Sequence, residues 1–239
     1  MATSPYLFRV LAKPTKVDLD TWEEWTSLEN IASLIETKAA TRVGLYQAFN
    51  DYPLATKTPN TVDQTKLHSV NVTHSDVEPP TEKRCLVMCQ TEDPDVLKKQ
   101  FLKNVSQGSD IFSGKEPISC AEWDSRVYKL IQDFDPKGAG YNDDDDYNKF
   151  YRDEHLYMLS KVPGYRRSQR YELVSSENLS LSSVPRFMAI HEFETLETTD
   201  GPELREADAS PNTHRVIGNA EFVNVRGFKL VQTLSGIKQ

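Results

Sequence analysis

Two histidines of this chain stand where an imidazole could exchange protons. His155 follows Glu154 in a segment rich in tyrosine and phenylalanine, and His191 interrupts the apolar row of the segment FMAIHEFE. A histidine changes its charge near pH ~6.5, so it can act as a general acid or base near neutrality. Each histidine alone could equally be a core residue that hydrogen-bonds a neighbour.

An internal comparison of the chain sets these two positions apart. A first-half pattern recurs at a constant offset of 125 residues, in which Trp22, Trp25, Glu29, Asn30 and Leu34 match Tyr147, Phe150, Glu154, His155 and Leu159. Asn30 thus stands in place of His155, and Cys89 in place of His191. Because Asn and Cys are poor replacements for a base that titrates near neutral pH, the sequence predicts a protonation site in the second half only. Its predicted catalytic residues are His155 and His191.

The predicted walls of this site are apolar and aromatic. One helical turn separates Tyr151 from His155, so their side chains can touch. We expect His155 to be the general acid or base, with His191 and Tyr151 as hydrogen-bond donors in the pocket. The residues expected to bind a substrate carry large apolar or aromatic side chains: Phe150, Tyr151, Met158, Tyr171, Phe187 and Phe193.

The role of Glu154 has two interpretations. A carboxylate near the middle of an apolar helix stripe is costly unless it is paired. It could orient a histidine, as in general-base dyads, or it could pair with Arg167, Arg170 or a backbone donor. Glu29 keeps the acid in the half that lacks the histidine, which favours the structural role.

The helix of the Glu-His pair is predicted to begin in the acidic run 143–146 and to end at Pro163 and Gly164. Carboxylates at a helix start accept the unpaired N–H groups and meet the positive end of the helix dipole. Pro and Gly then stop the helix. The next segment, GYRRSQRYEL, alternates as a strand does, with Arg167, Gln169 and Tyr171 on one face.

The helix with the strand that follows it, and the segment FMAIHEFE, resemble the fungal EthD-like proteins of the dimeric α/β-barrel superfamily. The matching residues are Phe150, Tyr151, Glu154, His155, Val162, Pro163, Gly164 and Tyr165, together with the block from Phe187 to Glu194. The resemblance implies a fold and an apolar pocket more strongly than it implies a substrate.

Patterns elsewhere in the chain predict further elements. Strands are expected at 6–11, 42–49, 84–90, 119–134, 186–193 and 220–234, the fourth being one long strand or two joined ones. A helix is expected at 19–40 after the N-cap Asp18, and its core stripe is predicted to be Trp25, Leu28, Ala32, Ile35 and Ala39. A second helix is expected from Pro94 to about 105, and a weak one at 201–209. Residues 175–184 are expected to form a loop. The aperiodic segment 51–82 is predicted to be a mobile cover over one end of the barrel.

The repeat makes each half a β-α-β-β-α-β unit of the ferredoxin-like type. Such a unit leaves one sheet face apolar, so two units can bury these faces against each other. The predicted fold class is α+β, with two tandem ferredoxin-like units at 1–118 and 119–239 forming an intramolecular dimeric α/β-barrel. Residues 119–134 are expected to bridge the halves. Whether this pseudo-dimer pairs again as a homodimer stays open.

Composition limits the classes of partner. With 239 residues and a formal charge of −8, the chain lacks the clustered basic residues of a nucleic-acid binder. No segment predicts a signal peptide or a membrane span, so a cytoplasmic protein without membrane contact is expected. Cys85 and Cys89 are expected to be reduced and buried. No cofactor or metal is expected, since the acidic run lacks the spacing of a calcium loop and no Gly-rich phosphate loop follows a strand.

Two functions are compatible with these patterns. The first, favoured by the resemblance, is a cofactor-independent enzyme of polyketide- or terpenoid-like specialised metabolism. It would use acid/base chemistry for cyclisation, isomerisation, dehydration or decarboxylation of an apolar small molecule, as a cyclase-type lyase or isomerase. The alternative is a non-catalytic small-molecule-binding or stress-response barrel protein with the same pocket.

Overall fold

Seven strands form a single antiparallel sheet in the computed structural model, which describes residues 4–48, 85–134, 146–178, 185–195, 201–219 and 225–236. The sheet order is β6-β5-β4-β1-β3-β2-β7. The strands are β1 (Tyr6–Pro14), β2 (Arg42–Ala48), β3 (Cys85–Thr91), β4 (Ala121–Phe134), β5 (Tyr165–Asn178), β6 (Phe187–Phe193) and β7 (Phe228–Ser235). The predicted cover at 51–82 lies outside the described residues.

Five helices and two short 3₁₀ turns, Asp110–Phe112 and Pro117–Ser119, accompany the sheet in the described residues. The first, α1, joins an α-helical part (Leu19–Trp25), a π-helical part (Thr26–Ile31) and a second α-helical part (Ala32–Glu36). The third, α3, joins Asp146–Phe150, a π-helical part (Tyr151–His155) and Leu156–Leu159. The others are α2 (Pro94–Ser106), α4 (Pro202–Asp208) and α5 (Pro211–Asn219). The α+β class predicted from the sequence is confirmed.

The helix starts follow the capping residues. Asp18 accepts a hydrogen bond from the Thr21 backbone N–H at 2.7 Å, as its predicted N-cap role requires. Asp93 accepts from the first turn of α2, where Pro94 stands in the first helical turn and its missing N–H leaves no donor unsatisfied. After α3, Gly164 adopts a positive φ of 75°, which a side chain would disfavour. The starts at Asp18 and Pro94 agree with the sequence prediction, whereas α1 ends at Glu36 and not at 40, and α3 ends at Leu159, before the predicted stop at Pro163 and Gly164.

The predicted core stripe of α1 is wrong at Leu28, in the middle of the helix, which does not face the core. Leu28 is 63% exposed, whereas Trp22, Trp25, Ile31 and Leu34 are buried. The π-helical part holds more residues per turn than an α-helix, so it rotates the inward face by about one position. A period of 3.6 carried through this segment therefore assigns the wrong residue to the core.

Two apolar layers cover the outer face of the sheet. Under α1 and α2 lies a cluster that includes Phe8, Val10, Leu45, Trp22 and Phe101. Under α3, α4 and α5 lies a second cluster, made by Phe150, Tyr151, Leu156, Leu159, Val162, Leu204, Ala207 and Val216. Cys85, Cys89 and Cys120 are free thiols buried in the first layer or at its edge, and Cys85 and Cys89 match the prediction.

A third cluster lies on the opposite face and shows that the sheet curls. Leu7 of β1, Tyr128 of β4 and Tyr171 of β5 form this cluster, and Met88 and Ile190 pack against it. Residues of β2 and β6 line one small cavity on this face, and because four strands separate β2 from β6 in the sheet, they can do so only if the sheet bends over its own inner face. The inner face is thus enclosed by strands from both halves of the chain.

The strands of the second half attach to both edges of a ferredoxin-like order. The ferredoxin-like order is β4-β1-β3-β2. At one edge of it β4 also pairs with β5, and at the other edge β2 pairs with β7. The single strand over 121–134 pairs with β1 and with β5, as the expected bridging role requires.

Several predicted boundaries in the second half need correction. β5 continues to Asn178, so 175–178 is strand and not loop, because β4 is long enough to pair with it. Of the strand predicted at 220–234, residues 225–227 are not strand and β7 begins at Phe228, while 220–224 lie outside the described residues. The helix Pro211–Asn219 was not expected, since Gly218 and Asn219 weaken its local helix preference.

These pairings predict that neither half is stable alone. Fragments 1–135 and 136–239 would each expose unpaired strand edges and the apolar inner face, which favour aggregation. We expect no cooperative melting of either separate fragment by circular dichroism, and recovery of a cooperative transition when both are co-expressed. Two soluble fragments that melt cooperatively on their own would contradict this organisation; the intact chain is the reference.

Candidate functional site

The structure brings the two predicted catalytic histidines together. His155 lies on the π-helical part of α3 and His191 on β6, and their ring centroids are 6.3 Å apart. Tyr151 adjoins both and forms a triangle with them, 5.2 Å from the ring of His155 and 6.4 Å from that of His191. Phe150 stacks on His155 at 5.0 Å. The two imidazoles therefore share one aromatic environment.

A hydrogen bond to Ser168 allows one tautomer of His191 in which the ring is a donor. Its Nδ1 lies 2.6 Å from the Ser168 hydroxyl, which accepts a hydrogen bond from Tyr165 at 2.7 Å. Since Tyr165 donates to this oxygen, the Ser168 hydrogen is available to point at Nδ1. The neutral ring then carries its proton on Nε2, which makes His191 a donor.

The surroundings of His155 favour the opposite tautomer, in which the proton is on Nδ1. Its Nδ1 lies 3.4 Å from the Thr213 hydroxyl. Thr213 donates to the Ala207 carbonyl at 2.8 Å and accepts from Ser210. Because the Thr213 hydrogen is already used, the His155 Nδ1–H is the donor of this contact. Nε2 of His155 is then the basic nitrogen of the pair.

A buried guanidinium adjoins the histidines. Arg170, on β5, is 3% exposed and donates to Gln132 Oε1 at 2.9 Å and to Asn148 Oδ1. Its charge lies over the rings of Tyr151, at 4.3 Å, and Tyr147, at 5.0 Å. Amide oxygens and aromatic faces stabilise the cation here. The site therefore carries a positive charge that favours an anion nearby.

Burial keeps both imidazoles neutral. It lowers the pKa of His155 to about 4, with the Glu154 charge opposing this change and the Arg170 charge adding to it. Burial lowers the pKa of His191 to about 3, and the charges of His155 and Arg170 act in the same direction. Burial also raises the pKa of Tyr151 well above its ordinary value. All three groups are uncharged near neutral pH.

Glu154 has a structural role in this arrangement. It is half-buried and accepts a hydrogen bond from Asn212 at the start of α5, and bonds from Asn212 and Ser210 lower its pKa. Glu29, its counterpart in the first half, accepts from Ser109, the N-cap of the 3₁₀ turn Asp110–Phe112, at 2.9 Å. Both acids therefore tie a helix to the start of a later short helical segment. The structural interpretation of Glu154 agrees with this geometry, although its partner is neither Arg167 nor Arg170.

The first half is apolar where the second half is polar. Cys89 pairs across the sheet with Val43, whereas His191 pairs with Ser168. Leu45 is fully buried at the position that matches Arg170. Asn30 is buried and accepts a hydrogen bond from Asn104 at 3.0 Å. At these matched positions of the described chain, the imidazoles thus stand in the second half only.

Five of the six expected substrate-binding residues lie around this site. Phe150 and Tyr151 contact the histidines, and Met158 packs against the same cluster. Phe187 stacks on Tyr147 at 4.9 Å, and Phe193 meets Tyr165 edge-on.

Tyr171 does not join them. It lies on the inner face with Leu7 and Tyr128, because successive strand residues point to opposite faces and Ser168 and Arg170 occupy the outer one.

Sequence analysis missed several polar residues of the site. Ser168, Arg170 and Asn148 are almost fully buried. Asp208, at the end of α4, is half-buried; desolvation raises the pKa of its carboxyl to about 6, and its charge acts on Tyr151. A usable signal was the segment Arg167-Ser168-Gln169-Arg170, which is polar on both faces although it forms a central strand.

Other classes of site find no support in the described residues. In the described ranges, no three His, Cys, Asp or Glu side chains come together to hold a metal ion. No helix of the described part is long and apolar enough to cross a membrane.

Comparisons with known proteins show similarity in fold only. No family model and no curated sequence matches the chain, so the EthD-like resemblance gains no support at that level. A solved anthrone oxidase-like protein superposes with a TM-score of 0.51 and 10% identity, covering 98% of this chain and 94% of that one. A candidate monooxygenase from Lactobacillus acidophilus NCFM gives a TM-score of 0.44 and 12% identity, covering 97% and 96%. The chain therefore shares the fold of the anthrone oxidase-like protein.

The lowered histidine pKa values predict an acid-sensitive fold. The unfolded chain binds protons at these histidines below pH ~6.5, whereas the folded chain does so only below about 4 and 3, so stability falls as the pH falls through this window. Between pH 7 and pH 5, His191 alone should contribute a loss of about 2 kcal/mol. The raised pKa of Asp208 acts in the opposite direction.

Urea unfolding at pH 7 and pH 5 checks this prediction. His155→Asn and His191→Asn should each lose less stability between the two pH values than the natural chain does. Leu204→Ala is the control, because it removes buried apolar contacts in the same cluster without removing a titratable group. An equal pH dependence in the histidine variants and the natural chain would show that the imidazoles are not kept neutral by the fold.

Proposed function

We propose that this protein is a cofactor-independent enzyme that removes a proton from an apolar, polyketide-like carbon acid and stabilises the resulting enolate. The observation that carries this proposal is the meeting of His155 and His191 beside Tyr151 and Arg170. The pair offers a basic nitrogen and an N–H donor in one aromatic environment. Such chemistry needs neither a metal nor a nucleotide.

The charges of the site support anion formation during the reaction. A base with a lowered pKa is weak toward a neutral substrate, but an enolate beside it raises its pKa again by attraction. Arg170 supplies a fixed positive charge in a buried setting, where electrostatic stabilisation is stronger than in water. The ionised intermediate therefore stabilises the protonated imidazole and is itself stabilised by Arg170.

The later steps divide this proposal into two branches. In the first branch the enolate reacts without an oxidant: reprotonation at another carbon gives isomerisation, attack on a carbonyl carbon gives cyclisation, and expulsion of a β-hydroxyl as water gives dehydration. Decarboxylation reaches the same kind of enolate by loss of carbon dioxide. These are the lyase or isomerase reactions expected from the sequence. The name of the anthrone oxidase-like protein favours another outcome, in which dioxygen is the oxidant: the carbanion adds dioxygen to form a hydroperoxide, which loses water and leaves a new carbonyl group. An anthrone is itself an activated carbon acid, so, decarboxylation apart, both branches begin with the same proton removal.

We further propose that the chain is a tandem pair of ferredoxin-like units. The π-helical parts of α1 and α3 begin 125 residues apart, at Thr26 and Tyr151, which is the offset found in the sequence. Glu29 and Glu154 make equivalent ties in the two halves. On this proposal the first unit supplies scaffold and the second carries the reaction.

An assay with anthrone tests the proposed chemistry. Anthraquinone formation by absorbance and dioxygen uptake by electrode should both exceed the uncatalysed rate with the natural chain. His155→Ala should lower kcat by about 10² to 10⁴, the usual loss for a general base. His191→Ala should lower it as well, and Arg170→Leu, which copies the first-half Leu45, should reduce enolate stabilisation.

The matched control is His214→Ala, which removes a histidine from α5 outside the site. It should keep full activity, and circular dichroism should show every variant folded. Asn30→Ala is unsuitable as a control, because Asn30 is buried and hydrogen-bonded. Exchange of the anthrone methylene hydrogens with deuterium, without dioxygen uptake, would assign the acid/base branch. Binding of anthrone without exchange or turnover would instead support the ligand-binding alternative.

A further inference from the structure

A chain of three hydrogen-bonded groups links the buried His191 to a partly exposed tyrosine. The Tyr165 hydroxyl donates to the Ser168 hydroxyl at 2.7 Å, and the Ser168 oxygen lies 2.6 Å from Nδ1 of His191. Ser168 is fully buried, whereas Tyr165, the first residue of β5, is half-buried. The chain therefore runs from a phenol near the surface to an imidazole inside the aromatic site.

The hydrogen of the Ser168 hydroxyl has one acceptor. A serine oxygen accepts two hydrogen bonds and donates one, and a buried donor without an acceptor is costly. Tyr165 fills one accepting position of this oxygen. Within the described part of the chain, Nδ1 of His191 is the one other side-chain partner of the Ser168 hydroxyl. The Ser168 hydrogen therefore points at Nδ1, and the neutral ring carries its own proton on Nε2.

The first half has none of these groups at the matched positions. Ala40 and Val43 stand 125 residues before the tyrosine and the serine, and Cys89 stands in place of the histidine. All three are buried in the apolar cluster under α1 and α2. Apolar side chains thus satisfy the packing of the same backbone positions in the first half. Packing alone does not explain why the second half holds two hydroxyls and an imidazole in one hydrogen-bonded chain.

A neutral imidazole can pass a proton on only if it receives another. Loss of the Nε2 proton alone would leave an anionic ring, which burial among aromatic side chains makes very costly. A proton that arrives at Nδ1 at the same time keeps the ring neutral and converts it into the other tautomer. The hydroxyls of Ser168 and Tyr165 are hydrogen-bonded in the order that delivers this proton, and the half-buried Tyr165 can recover its own from water.

We propose that Tyr165 and Ser168 form a proton relay that supplies His191 from solvent. This role rests on the function proposed above, because the relay serves the enolate. The Nε2–H bond of His191 breaks as an O–H bond forms on the enolate oxygen. The Ser168 hydrogen moves to Nδ1, the Tyr165 hydrogen moves to the Ser168 oxygen, and the Tyr165 phenolate takes a proton from water. The proton that His155 releases neutralises the hydroxide left behind, and no electrons are transferred. Tyr165 and Ser168 act through His191 and are positioning residues.

Exchange of the His191 ring proton with water tests the relay without any substrate. In protein labelled with ¹⁵N at histidine, NMR at neutral pH should show Nδ1 of His191 unprotonated and Nε2 protonated; loss of the signals in His191→Asn assigns them. Saturation transfer from water to the Nε2 proton should slow about tenfold in Tyr165→Phe, which removes the hydrogen bond at the solvent end of the chain. Tyr157→Phe, at an exposed tyrosine of α3, is the matched control and should exchange as the natural chain does.

Two variants of equal shape separate the hydroxyl from packing. Ser168→Thr keeps a hydroxyl and Ser168→Val removes it, and the buried Val43 shows that the matched backbone position accepts a β-branched side chain. Ser168→Thr should exchange the ring proton as the natural chain does, and Ser168→Val should slow the exchange as Tyr165→Phe does. The relay is overturned if Tyr165→Phe exchanges at the natural rate, or if the natural chain carries the proton on Nδ1. The Tyr165→Phe comparison stays decisive even if a Ser168 variant fails to fold.

Turnover separates the relay from the function on which it rests. In the anthrone assay, Tyr165→Phe should lower kcat about tenfold with little change in KM. The solvent deuterium isotope effect on kcat should also fall toward one, which a purely structural role of the tyrosine would not cause. A natural chain without exchange or turnover of anthrone would refute the proposed function and the catalytic role of the relay together. Full turnover in Tyr165→Phe would leave the proposed function in place and overturn the relay alone.

Discussion

The arrangement of the whole molecule depends on β4, a strand of 14 residues that forms hydrogen bonds on both edges. Its first part pairs with β1, and most of its length pairs with β5. A strand with both edges occupied fixes the register of both neighbours, because a slip of one residue would turn every side chain to the wrong face. β7 makes the matching contact at the other end, where it pairs with β2. The helices can then cover the outer face while the inner face closes on itself.

β5 shows how one strand serves both faces of the sheet. Its residues alternate between faces, so Ser168 and Arg170 lie beside the histidines, while Arg167 and Gln169 line a small cavity on the inner face. Polar groups are costly on both sides of a central strand unless they are hydrogen-bonded. Here most of them are; among the described residues of β5, Nε2 of Gln169 and the Ser176 hydroxyl have no hydrogen-bond partner.

The difference between the halves also has a physical meaning. The same backbone positions hold Val43, Leu45 and Cys89 in the first half, where they build an apolar core under α1. In the second half the same positions hold Ser168, Arg170 and His191. These polar side chains require hydrogen-bond partners, and the charge of Arg170 requires the aromatic faces that cover it. A protein that needed only stability would gain from apolar residues at these positions, since replacing buried polar networks is often neutral or stabilising. Their presence is the strongest structural argument for chemistry in the second half.

The sequence by itself determined the class of the fold, most element positions and the half of the chain that carries the two histidines. These features depend on local patterns: caps such as Asp18, the stop at Gly164, the alternation of β5 and the offset of 125 residues. Only the tertiary structure decided that His155 and His191 meet, that Arg170 joins them and that Tyr171 lies on the other face. These facts depend on the π-helical turn, which rotates α3 by a fraction of a turn, and on strand pairings between distant residues. A regular helical period does not record that rotation, and long-range pairing has no local signal in the chain.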